Sequence, residues 1–181
     1  MFTEYKASGA TTNTKIPTPK IIFFDIDDTL SRHGIIAEHN QATLEALADT
    51  DIKLVISTGR SKAILPPDIL ALLEANVLDA IICMNGQYSF DNQNKISHCP
   101  LTQMQTTKIV QLCEASELIY KFDSATHIAW SGENDLLREF NARTPNSIVD
   151  PTYYQSNEVY QCSVFFNNQQ EKMQEVDFTS Y

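Results

Sequence analysis

Between residues 21 and 83, short apolar runs alternate with stretches in which apolar residues recur at helical spacing. Residues 21–24, 52–57 and 78–83 are of the first kind, and such runs suit parallel strands buried on both faces. Residues 38–49 are of the second kind, with Leu44, Leu47 and Ala48 on one face and Asn40 as the N-cap. Residues 68–75, announced by Pro66-Pro67, form another short helix. A strand, helix, strand crossover sets its strands parallel and is almost always right-handed. The carboxyl ends of the three runs should therefore face the same way.

The second half follows a different pattern. Residues 101–117 place Ile109, Leu112 and Cys113 on one helical face, and Thr102 and Gln105 have the spacing of a capping box. Strands are expected over 118–122, 127–130 and, with clear alternation, 159–166, with a short helix near 135–140. Three parts result: a flexible tail over 1–19, an α/β core with a Rossmann-like parallel sheet over 20–98, and an incomplete α+β cap over 99–181. The apolar residues of the cap are spaced as a core, and none is assigned a ligand.

The chemistry lies just past the strands. Residues two apart on a strand share a face, so Asp25 and Asp27 can enter one site while Ile26 packs the other way. Ligands in such sheets bind beyond the carboxyl ends of the strands. Two carboxylates held that close repel, and a hard divalent cation such as Mg²⁺ turns the repulsion into coordination. Asp28 has two readings, a supporting carboxylate or a turn residue. The second run ends in Thr58-Gly59-Arg60 and the third opens into Asn85-Gly86, itself a good turn dipeptide.

In order and spacing, Asp25-Ile-Asp27-Asp28-Thr29-Leu30, Ser57-Thr58-Gly59-Arg60 and Met84-Asn85-Gly86 resemble the haloacid dehalogenase-like phosphohydrolases, in particular their Cof-type branch, subclass IIB. The resemblance implies that Asp25 attacks phosphorus to form an aspartyl-phosphate, and that Asp27 serves as acid and then base. It further implies Mg²⁺ on the Asp25 carboxylate and the Asp27 backbone carbonyl. Thr58 and Gly59 would bind the phosphoryl oxygens, helped by a helix starting after Arg60, while Arg60 and Asn85 would face substrate. The family also uses a lysine after the cap and a further acidic motif, and neither has an acceptable counterpart in these 181 residues. Ser131-Gly-Glu-Asn-Asp135 does not replace the latter, since its acids suit the start of a helix. The resulting expectation is a truncated phosphatase of small phosphorylated metabolites, poorly active or inactive alone. The alternative is a non-catalytic remnant that binds Mg²⁺, phosphate or a partner chain. A signalling receiver would carry its acceptor Asp where this chain has Ser57-Thr58.

Composition narrows the field further. A net charge of -10 argues against nucleic-acid or anionic-membrane partners. Cys83, Cys99, Cys113 and Cys162 lack metal-ligand spacing and read as reduced thiols, and the four His are scattered. No apolar stretch reaches membrane-spanning length, and the polar start is not a signal peptide. A cytoplasmic protein is expected, with homodimerisation through an exposed sheet edge.

Overall fold

The computed structural model describes residues 18–32, 35–133, 138–139, 144 and 146–165. The expected tail over 1–19 falls almost wholly outside the described residues, as do most of the helix expected near 135–140 and everything after Phe165.

The first sheet has five strands in the order β1-β4-β5-β6-β7. β1 (Ile21–Phe24) leads through a two-stranded hairpin, β2 (Ser31–Arg32) and β3 (Ile35–Ile36), into helix α1 (Glu38–Ala48). The chain returns as β4 (Lys53–Ser57), crosses through α2 (Pro67–Glu74) and returns again as β5 (Ala80–Cys83). β1, β4 and β5 run parallel, which brings residues 25, 58 and 84 to one end of the sheet. An antiparallel pair, β6 (Tyr88–Phe90) and β7 (Lys95–His98), extends it beyond β5. Ile26, Leu54, Ile56, Ile69 and Ile81 are fully enclosed in the core beneath, each worth about 1.5–3 kcal/mol by burial.

Helix α3 (Gln103–Ala115) opens the second part, with its capping box formed: Thr102 Oγ1 accepts from Gln105 N, and Gln105 Oε1 accepts from Thr102 N. It covers a four-stranded sheet of order β10-β9-β8-β11. These strands are β8 (Ile119–Asp123), β9 (Ile128–Trp130), β10 (Ser147–Val149) and β11 (Gln161–Phe165). Val110, Cys113, Tyr120, Phe122 and Ala129 fill the layer between helix and sheet. Side-chain hydrogen bonds that join the two parts include Ser61 Oγ to Ser124 O (2.6 Å), Asn146 Nδ2 to Ala63 O (3.1 Å), and Asn85 Nδ2 to Gln161 Oε1 (3.1 Å).

Three local expectations need correction. β1 is not buried on both faces: it is an edge strand among the described residues, and Ile21 and Phe23 are 45% and 55% exposed. Asn40 does not cap α1, whose N-cap is Ala37 without a side-chain bond. Its amide instead donates to Leu30 O at 3.0 Å, tying the helix to the loop after β1. The helix expected after Arg60 is only a 3₁₀ turn, Lys62–Ile64, capped by Ser61, and so short a segment supplies little dipole.

Candidate active site

The loop after β1 is built around Ile26. Its side chain is fully buried, and its carbonyl accepts from the amides of Thr29, Leu30 and Ser31 at 3.4, 3.1 and 2.8 Å. With that residue anchored inward, Asp25 and Asp27 on either side are both exposed at the strand end. Asp28 takes a left-handed backbone (φ 55°) and its amide donates to Ser31 O at 3.0 Å. It serves the turn, as an Asp can at little cost.

Beside this loop lies the one after β4. Thr58 is buried, its amide donates to Ile82 O at 2.9 Å, and its hydroxyl accepts from the Arg60 amide at 3.2 Å. The hydroxyl proton stays available for another acceptor. The loop after β5 closes the group: Asn85 N donates to Thr58 O at 3.3 Å and Met84 N to Arg60 O at 3.0 Å. Met84, Asn85 and Gly86 all have positive φ (51°, 55° and 96°), a concentration of backbone strain of the kind found where a ligand or neighbour demands it. Gly59 has a local reason to lack a side chain. A Cβ there would lie 3.2 Å from Asn85 Oδ1.

Thr58, Gly59, Arg60 and Asn85 are therefore gathered beside Asp27. The contact that sequence spacing does not reveal is the direction of Arg60. Its guanidinium grips Asp27 in a two-pronged ion pair, Nε to Oδ2 at 2.9 Å and Nη2 to Oδ1 at 2.6 Å. The hydrogen bonds from Arg60, opposed by some desolvation and helped by its charge, hold the Asp27 carboxyl below its ordinary value. Asp25 is close enough to add to the upward shift of Arg60. The repulsion between the carboxylates is thus relieved in part by a protein cation. Carboxylate and carbonyl oxygens at this strand end are donors of the kind that a hard cation prefers. Among the described residues no group of three or more His, Cys, Asp or Glu is placed to hold a metal ion.

The cap adds residues that sequence reading passed over. Gln161 reaches Asn85, and Asp123, opposite Gln161 in the sheet, holds Lys121 Nζ at 2.6 and 2.8 Å. Burial raises the Asp123 carboxyl, against the pull of Lys121. The one sequence signal was a pair of opposite charges two apart in an otherwise apolar strand.

Residues 22–180 match the family described as haloacid dehalogenase-like hydrolase. The chain belongs to that family. No curated protein matches it. Among solved structures it is similar to the subclass IIB sugar phosphatase BT4131 (26% identity, TM-score 0.70, 87% of this chain and 62% of that one). It also shares the fold of BT1666 from Bacteroides thetaiotaomicron, described among the phosphatases of this superfamily (16%, 0.70, 96% and 65%). The same holds for SMU.1108c from Streptococcus mutans UA159 (13%, 0.71, 90% and 64%). This haloacid dehalogenase-like chain thus spans less than two thirds of the length of these structures. All four cysteines are free, with Cys83 and Cys113 buried and Cys99 exposed. Burial pushes the Cys83 thiol up to about 12, which makes it unreactive. No helix among the described residues is long and apolar enough to cross a membrane.

Proposed function

We propose that this chain carries the phosphoryl-transfer groups of a Mg²⁺-dependent phosphomonoesterase acting on small phosphorylated metabolites. The observation that supports it most is the meeting of Asp27, Arg60 and the Thr58 hydroxyl beside Asp25 at the open end of a parallel sheet.

In this reading an Asp25 oxygen attacks phosphorus, the bond to the ester oxygen breaks, and the alcohol leaves with a proton from Asp27. Asp27 then takes a proton from the water that attacks the Asp25 phosphate. Inorganic phosphate departs and the Asp25 carboxylate is restored. Proton transfer of this kind contributes ~10²–10⁴-fold. While both Arg60 prongs hold Asp27 ionised it is a poor acid, so Arg60 must transfer at least one prong to the arriving phosphoryl oxygens. Thr58 and the Gly59 amide hold those oxygens, and Asn85 stands at their substrate side. The Asp25 carboxylate and the Asp27 backbone carbonyl would hold Mg²⁺, which when bound would supply neutralisation of the negative charge at the site.

Slow turnover is expected, because few groups among the described residues can hold the cation. The same scarcity favours the second reading, a non-catalytic protein that binds Mg²⁺ or phosphate or associates with another chain. A cytoplasmic setting, no nucleic-acid or membrane partner, and pairing of two copies through β1 complete the proposal. Hydrolysis of p-nitrophenyl phosphate with and without Mg²⁺ decides between the readings. Metal-dependent turnover lost in Asp25→Asn supports the enzyme, whereas none at high protein concentration supports the binding protein.

A further inference from the structure

Asn85 is the one asparagine in the sequence that is followed by glycine. An asparagine side chain loses ammonia when the amide nitrogen of the next residue attacks its Cγ, and a glycine there puts no side chain in the way of that approach. Asn85 and Gly86 are both exposed, and nothing lies within 4 Å of where a Cβ on Gly86 would stand. The Gly86 nitrogen therefore has room to swing, and water reaches it.

The loop is also held short of that reaction. Asn85 sits at φ 55° and ψ 36° between two further residues of positive φ, a backbone that residues other than glycine adopt at an energetic cost. Its side chain lies between the Gly59 backbone and the cap: a Cβ on Gly59 would be 3.2 Å from Oδ1, and Nδ2 donates to Gln161 Oε1 at 3.1 Å. Nδ2 is the atom that must leave. Closing a five-membered ring takes rotation of both the side chain and ψ, so Gln161 has to let go first. Asn146 offers an internal comparison. It too is exposed and left-handed (φ 59°), and its Nδ2 too bridges cap and core, to Ala63 O at 3.1 Å, but it is followed by Ser147.

We propose that Asn85 is a site of spontaneous deamidation, and that its bond to Gln161 sets the rate. Hydroxide takes the proton of the Gly86 N–H, the nitrogen bonds to Cγ, and the bond from Cγ to Nδ2 breaks to release ammonia. Water then opens the succinimide at either carbonyl, giving aspartate or isoaspartate. In sum, the amide and one water become a carboxylate and an ammonium ion. The new carboxylate stands beside Gly59, where the phosphomonoesterase reading puts the phosphoryl oxygens, and negative charge there opposes anion binding. The modification does not rest on that reading, whereas its effect on phosphate does.

Peptide mapping by mass spectrometry during prolonged incubation of the full chain in neutral buffer tests the inference. Conversion at Asn85 should outrun conversion at Asn146. Gln161→Ala should speed it about fivefold, the worth of one side-chain hydrogen bond. Ser61→Ala, which cuts another bond between core and cap, should speed it as well. An Asn85 that converts no faster than Asn146, or a rate unchanged in both variants, overturns the inference. In calorimetric titration in Mg²⁺ buffer, inorganic phosphate should bind Asn85→Asp, which carries the product's charge, more weakly than the unaltered chain. Equal affinity overturns the charge effect, and binding to neither protein overturns the phosphomonoesterase reading while the modification stands.

Discussion

Asp27 and Arg60 share a strong contact at an exposed place, and its pH signature is specific. The Asp27 carboxyl is depressed below 3.8 by Arg60, so whatever the pair adds to folding is present above that pH and fades as pH falls through the lower folded value. Solvent screening keeps that stability contribution small, because the Asp27 side chain is 56% exposed. NMR titration of the Asp27 carboxyl should find a midpoint below 3.8, and Arg60→Gln should return it to the ordinary range. An unchanged midpoint would mean that the ion pair does not persist in solution. Asp25→Asn is the complementary case, since Asp25 is exposed: turnover should vanish while the thermal midpoint moves by less than a degree or so, as is usual for surface changes.

Among the elements, those fixed by local pattern were readable and those fixed by distant pairing were not. β1, β4, β5, α2 and the α3 capping box follow from runs, prolines and Thr102/Gln105 spacing, and the crossover rule alone brings residues 25 and 58 to one sheet end. The β6–β7 pair gave no such signal, for β6 is three residues long and every residue of β7 is exposed. Asn40 has the composition of a cap but finds a better partner in Leu30 O. The turn of Arg60 onto Asp27, and of Gln161 onto Asn85, depends on rotamers and on the packing of two sheets, which spacing does not encode. Thr102→Ala removes the hydroxyl that accepts from Gln105 N, while the backbone N–H of residue 102 can still donate to Gln105, and it should cost about 1 kcal/mol in urea unfolding. Lys121→Met should cost more, about 3–5 kcal/mol, while replacing both members of the buried pair by apolar residues should restore most of it. Equal losses in the single and double variants would contradict the buried-pair account.

For the molecule as a whole, association with other chains is proposed to run through the exposed side of β1. Among the described residues β1 is an edge strand with apolar Ile21 and Phe23 facing solvent, and such a strand is a template for pairing. The charge of -10 opposes close approach of two copies, and salt screens that repulsion. Sedimentation at increasing protein concentration should therefore show association that strengthens with salt, and Phe23→Lys should reduce it. A concentration-independent monomer in the unaltered chain would exclude this edge as an interface.

The missing side chain at position 59 reaches further than the loop that contains it. A methyl group there would crowd the Asn85 amide, and that amide is one of the fasteners between the floor of the cleft and its roof. The bare backbone at this position thereby leaves the Asn85 amide the room it needs to reach Gln161.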